Sequence, residues 1–191
     1  MQLTDNSTGR VVAVTSEFQL KTVSENHELQ HHNAWEEGQT YQVLSVDTGI
    51  TAKTQTILHI KNTDSSRLLV VSFIRMQGVG LSATLPGTGD YFQLGLHETV
   101  ASGGTVTTAV NTNAQSGNSA DVVATGVDPT MGGSFTEIDR QYIKADGDEY
   151  SFNKHGSIIL GFEDTVSVRL VSSGTGTAKA RITFMMIQKD R

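Results

Sequence analysis

Thr177-Ala178-Lys179-Ala180-Arg181-Ile182-Thr183-Phe184-Met185-Met186-Ile187-Gln188 sets Ala178, Ala180, Ile182, Phe184 and Met186 in alternation with Thr177, Lys179, Arg181, Thr183 and Met185. Successive side chains of a strand point to opposite faces, so this pattern predicts a strand with one buried and one largely wet face. Similar signals predict strands at Arg10–Thr15, Glu17–Val23, Thr40–Val46, Thr54–Asn62, Arg67–Gln77, Tyr91–Glu98, Gly104–Thr112, Glu149–Phe152, Gly156–Phe162 and Thr165–Ser172. No segment has the periodicity of a long amphipathic helix. The expected fold is therefore all-β, an antiparallel β-sandwich of jelly-roll-like type, because closing many strands into two packed sheets limits exposed edges.

Arg67–Met76 is apolar on both parities, with Leu68, Val70, Ile74 and Met76 on one and Leu69, Val71 and Phe73 on the other. That reads as a central strand covered on both sides. Asn62-Thr63-Asp64-Ser65-Ser66 and Ser172-Ser173-Gly174-Thr175-Gly176 read as hairpin loops whose polar side chains bond their own backbone. Gly78–Asp90 and Gln115–Gly133 have no clear assignment, and long loops in compact β domains tend to serve function or to be ordered by a neighbour.

The 191 residues fit one β-sandwich domain spanning 1–191, with a short N-terminal arm over about residues 1–10. Charged residues make up only 18%, so Thr, Ser and Gly supply much of the polarity, as strands and turns require. A net charge of −6 argues against nucleic acid as the partner, since phosphate binding needs a surplus of Lys and Arg. With no cysteine there is neither a disulfide framework nor a thiolate metal site. The opening MQLTDNSTGR lacks the apolar core of an export signal and no run is long and apolar enough for a membrane helix, so no membrane partner is expected and assembly in a cytoplasm is.

His27-Glu28-Leu29-Gln30-His31 is a literal H-E-x-x-H, which on a helix would turn two imidazoles toward zinc with the glutamate as base. The longer form of that motif needs Gly and His where this chain has Ala34 and Glu37, and Val23, Leu29 and Trp35 give only a thin apolar stripe. The plain reading is a turn or loop with solvated histidines packed by Trp35; His27, His31 or His32 could carry adventitious metal without function. Gly78-Val79-Gly80-Leu81-Ser82-Ala83 matches a dinucleotide fingerprint, but Pro86, Gly87 and Gly89 interrupt the helix that the chemistry needs. Asp146-Gly147-Asp148-Glu149 offers oxygen ligands to calcium and is foremost a turn signal. Asn6-Ser7-Thr8 fits a glycosylation acceptor only in a secreted protein. No Cys or G-x-S-x-G elbow is present for nucleophilic catalysis, and His59 and His97 sit inside strand segments where a surface or hydrogen-bonded structural role is the default. No catalytic, cofactor-binding or metal-binding residue is assigned, and the protein is expected not to be an enzyme.

Three stretches carry a family resemblance: Gly9-Arg10-Val11-Val12-Ala13-Val14-Thr15; Thr56-Ile57-Leu58-His59-Ile60-Lys61-Asn62-Thr63-Asp64-Ser65-Ser66; and Asn111-Thr112-Asn113-Ala114-Gln115-Ser116-Gly117-Asn118-Ser119-Ala120-Asp121. In that order, followed by Gly156-Ser157-Ile158-Ile159-Leu160 and a closing strand, the chain resembles small β-sandwich virion proteins of tailed bacteriophages. The resemblance implies a capsid decoration or cement subunit, a homotrimer on the virion surface whose partner is the major capsid protein. It brings no catalytic residues. A related implication is a tail or baseplate module for host-surface glycans, for which Trp35, Tyr91 and Tyr142 are the residues to inspect. Expected contact surfaces are edge strands, Met1–Arg10 and the long loops.

Overall fold

The computed structural model describes residues 2–4, 11–14, 20–21, 38–51, 53–81 and 89–189. Fifteen strands and no helix occur among them. A small antiparallel sheet is made of β1 (Gln2–Thr4), β2 (Val11–Val14) and β3 (Leu20–Lys21). The sandwich is built from β4 (Thr40–Leu44), β5 (Thr48–Ile50), β6 (Thr54–Asn62), β7 (Arg67–Val79), β8 (Tyr91–Ser102), β9 (Thr105–Thr107), β10 (Val110–Asn111), β11 (Val122–Gly126), β12 (Thr130–Tyr142), β13 (Glu149–Leu160), β14 (Thr165–Val171) and β15 (Gly176–Gln188).

Sheet one has the order β10-β4-β15-β7-β13 with β5 also on β15, and sheet two the order β12-β8-β14-β6-β11-β9. Every pairing is antiparallel. If β4, β6, β7, β8, β12, β13, β14 and β15 are counted first to eighth, sheet one reads first-eighth-third-sixth and sheet two second-seventh-fourth-fifth. That interleaving, in which the chain keeps crossing between facing sheets, is the jelly roll. The expected fold class is what the chain adopts.

Alternation places the core where the sequence put it. Val166, Val168 and Leu170 of β14 face Ala178, Ala180, Ile182 and Phe184 of β15 through a continuous apolar layer that also takes Tyr41, Val43, Leu58, Ile60, Phe92 and Leu94. Burial of such side chains contributes roughly 1.5–3 kcal/mol each before the ordering entropy is counted. The opposite face of β15 is wet at Thr177 and Lys179, but Met185 on that parity is 2% exposed.

Strand β7 is an inner strand, paired on both sides, yet its two apolar parities have a different cause from two-sided cover alone. Thr183 opposes Phe73 and Phe184 opposes Val71, leaving Ser72 as an extra residue. The bulge reverses the parity, so Leu69 and Val71 face the core before it, and Ile74 and Met76 after it.

Several expected boundaries are corrected. Glu149–Phe152 and Gly156–Phe162 are one strand, β13, whose register jumps between Asn153 and Ile158. Gly104–Thr112 divides into β9 in sheet two and β10 in sheet one. Gln115–Gly133 is not all loop, for it contains β11 and the start of β12. The links Asn62–Ser66 and Ser172–Gly176 are arches between facing sheets rather than hairpins, because β6 and β14 lie in sheet two while β7 and β15 lie in sheet one. Register shifts beside Met131, between Gly133 and Thr136 and between Glu137 and Asp139 bend the edge strand β12. Irregular edges of this kind discourage pairing with stray strands.

Candidate functional site

Short polar residues where β6 ends lead to the most elaborate polar assembly among the described residues. Asn62 is fully buried and its amide donates to the carbonyls of Leu160 (3.0 Å) and Arg67 (3.1 Å), while its Oδ1 accepts from the Asp64 amide at 3.0 Å. Asp64 is 6% exposed, and its Oδ1 takes hydrogen bonds from the amides of Ser66 (2.8 Å) and Arg67 (3.0 Å) and from the Ser66 hydroxyl (2.7 Å). Its other oxygen is ion-paired with Arg67 Nε. The self-bonding polar turn expected here is present, on an arch rather than a hairpin. Burial alone would push the Asp64 carboxyl up, but the bonds from Ser66 and Arg67 outweigh it and hold the group well below the usual carboxylate range.

The Arg67 guanidinium carries the assembly outward. Nη1 donates to Gln39 Oε1 at 2.9 Å, and Nη2 donates to the Ser119 carbonyl at 3.3 Å and lies 3.5 Å from Asp121 Oδ2. Burial would lower its pKa, yet pairing with Asp64 raises it overall. Gln39 also accepts from Tyr41 Oη at 3.3 Å, and Tyr41 stacks on Phe184 with ring centroids 5.8 Å apart, so the polar end is anchored in the core.

The 111–121 stretch is ordered by its own side chains. The Asn111 amide donates to Gly38 O (2.7 Å) and Asn118 O (3.2 Å), Asn111 Oδ1 accepts from the Asn113 amide (2.8 Å), and Asn113 Oδ1 accepts from that of Gln115 (3.0 Å). Ser116 Oγ accepts from the Asn118 amide at 3.2 Å and donates to Gly38 O at 3.3 Å. Gly38 has φ +59°, and a Cβ there would run into the Ser116 side chain. Thr63 N donates to Asp121 O at 3.1 Å, and Lys189 Nζ to Ser65 O at 3.0 Å. Thus the two motif stretches 56–66 and 111–121 form one cap at one end of the sandwich, together with the entry into β4 and the exit from β15.

Other sequence-selected residues lie elsewhere. Tyr91 and Tyr142 do meet, with ring centroids 5.4 Å apart and Tyr142 43% exposed. However, the Arg140 guanidinium lies 4.4 Å from the Tyr91 centroid and is bonded to Glu137 at 2.7 Å and 2.8 Å, so one aromatic face is already covered. His59 is 2% exposed and its Nε2 lies 3.2 Å from the Glu98 carbonyl oxygen, while His97 is exposed at φ 73°. Glu98 is buried and ion-paired with Arg169, whose guanidinium stacks on Phe135 at 3.8 Å. Asp146–Glu149 behaves as a turn: Asp146 Oδ1 accepts from Leu81 N at 3.2 Å, Gly147 sits at φ 79°, and Glu149 pairs with Arg75 at 3.0 Å. Gly78 and Val79 continue β7, and the rest of that glycine motif, from Ser82, lies outside the described residues. So do His27, Glu28, His31, His32, Trp35 and Asn6-Ser7-Thr8. Among the described residues no three His, Asp or Glu side chains are grouped as a metal site, and no helix is long and apolar enough to cross a membrane.

Sequence reasoning missed Arg67 and Gln39 as the connectors. The available signal was an arginine three residues after the turn aspartate, but nothing local tells that its far nitrogens reach residue 119. The cap can hold a loop surface in place and present amide, hydroxyl and carbonyl groups at fixed positions.

No family model and no curated protein matches the chain. Among solved structures, it is similar to a chain in the structure of infectious bursal disease virus Gt strain, at 14% identity and a TM-score of 0.21, with 78% of this chain and 42% of that one covered. The chain thus spans about two fifths of that chain's length, and a likeness this slight carries no functional argument.

Proposed function

We propose that the protein is a structural virion protein of tailed-phage type, a decoration or cement subunit that binds the assembled major capsid lattice and stabilises the head without turnover. The observation that carries this reading is the cap: the stretches through which the sequence resembles such virion proteins, 56–66 and 111–121, are folded against each other through Arg67 and Asp121. A polar end held by its own hydrogen bonds suits docking on a repeating lattice, since little order must be imposed on the cap at contact. A subunit that binds only the assembled lattice raises lattice stability by linkage. The proposed working form is a homotrimer on the virion surface.

The test mixes purified protein with phage heads that lack it, sediments the heads, and measures bound protein and the temperature of DNA release. Saturable co-sedimentation with a raised release temperature is expected. Absence of binding at every ratio would sink the reading.

A second reading, a tail or baseplate module for host glycans, draws on the Tyr91–Tyr142 pair, of which Tyr142 is exposed. The Arg140 stack on Tyr91 leaves Tyr142 as its main open ring, which weakens it. A glycan array read with wild type and Tyr142→Ala tests it, and hits that persist equally in the variant would rule that site out.

A further inference from the structure

The outer face of sheet one gathers positive charge from two strands. In the ladder Leu44 opposes Arg181, Arg181 opposes Arg75, and Arg75 opposes Ser151. On the same face Lys179 opposes Gln77, which opposes Glu149. Leu44, Arg75, Gln77, Glu149, Lys179 and Arg181 line an open groove of about 280 Å³, with Leu44, 54% exposed, as its apolar wall. Directly opposed like charges on neighbouring strands are destabilising. Here they occur in a chain with 20 acidic and only 14 basic residues.

The charges are poorly neutralised from within. Glu149 pairs with Arg75 Nη1 at 3.0 Å, whereas Lys179 and Arg181 have no ion-pair partner among the described residues. Arg75 also packs over Phe73 at 5.0 Å, which fixes its guanidinium, and its buried Nε donates to no acceptor. Two opposed guanidiniums and an ammonium beside an apolar wall match carboxylates spaced along an extended segment that also carries apolar side chains.

We infer that this groove, formed by Leu44, Arg75, Lys179 and Arg181, binds a glutamate- or aspartate-rich extended segment of a protein partner. The inference stands apart from the capsid reading, because an acidic segment could belong to a lattice subunit or to any other protein. Nucleic acid is the poorer match: the overall charge of −6 repels a long polyanion that the groove would meet only locally.

The test uses fluorescence anisotropy with a short labelled peptide alternating glutamate with threonine and leucine. Its glutamine counterpart and a single-stranded DNA of similar length serve as comparators, at low salt and at ~0.15 M salt. Expected is saturable binding of the glutamate peptide only, weakened at least about tenfold by R75Q/R181Q, which a loss of roughly 1.4 kcal/mol corresponds to. K53Q, which removes an exposed charge paired with Asp128, should leave binding unchanged. Because removing opposed arginines could disturb the sheet, Leu44→Glu provides a second variant that adds repulsion at an exposed position and should weaken binding similarly. No binding of the glutamate peptide, equal binding by R75Q/R181Q and L44E, or tighter binding of the DNA would each overturn the inference.

Discussion

Phe135 lies over Gly95: a Cβ built on Gly95 would come under 3.0 Å from three atoms of the Phe135 ring. The bulge between Gly133 and Thr136 turns the ring onto the outer face of sheet two, where it also stacks on Arg169. Gly95→Ala is therefore expected to destabilise by about 1–3 kcal/mol, because the ring cannot retreat without leaving Arg169. For a chain of this length that lowers Tm by roughly 2–4 °C per kcal/mol. Thermal unfolding of G95A, F135A and the double variant checks it; strict additivity of the two changes would refute the contact.

Arg67→Ala leaves the Asp64 carboxylate in a buried turn without its cation and frees Gln39 and Ser119 at once. Loss of one partner of a buried pair costs about 3–5 kcal/mol. Denaturant unfolding should show that loss, and amide exchange should rise through residues 112–121 more than in β14. Uniform exchange changes along the chain would contradict the role of Arg67 as a clamp.

Asp64 also sets an acid limit. Its folded-state pKa lies below the unfolded value, so the unfolded chain binds the proton first. Stability from this group is fully present above the unfolded carboxylate pKa of about 3.9 and drains away as pH falls toward the folded value. Asp64→Asn should flatten the acid limb of the stability curve below about pH 4, at a lower stability near neutrality.

His59 acts at milder pH. Burial, reinforced by the charge of Lys61, pulls its pKa down to about 4. The unfolded histidine protonates near 6.5 while the folded one stays neutral, so stability is full above about pH 6.5 and falls as pH drops toward 4, by up to about 3 kcal/mol. Denaturant titrations at several pH values in that window, on wild type and His59→Gln, should differ in slope; parallel curves would show that another group dominates.

Asp90 is the counterpart of Asp64 at the other end of the sandwich. It is 1% exposed and accepts from Ser172 Oγ and Ser173 N at 2.8 Å each and from Ser173 Oγ at 3.1 Å. Asp90→Ala leaves three donors around an emptied site and is expected to cost roughly 3 kcal/mol, read by denaturant unfolding. A cost below 1 kcal/mol would mean that water replaces the carboxylate.

Strand identity was legible wherever alternation ran unbroken, as in β14 and β15, and the inward residues followed from it. It failed at β12, where Gly132 and Gly133 weaken the strand signal and bulges at Phe135 and Ile138 throw the alternation out of step. The Asx turns at Asn62 and Asp64 were legible as turns, but the same local bonds serve a hairpin or an arch, and only the pairing of β6 with β14 and of β7 with β15 decides which. The cap and the basic groove were hidden for a related reason. The Arg67–Ser119 hydrogen bond and the Arg75–Arg181 ladder pairing join residues 52 and 106 positions apart. Such register is set by the whole fold rather than by any window of sequence.

The position of β15 between β4 and β7 has a bearing on how the chain is made. Residues 176–188 are the last of the sandwich to leave the ribosome, yet they supply the middle of sheet one and pair with three other strands. Until they emerge, β4 and β7 have no strand between them, and Val43 and Ile74 lack the side chains that cover them. The sandwich therefore closes after synthesis of its final strand, and nascent chains stalled before residue 176 expose two apolar strand edges to their neighbours on the polysome.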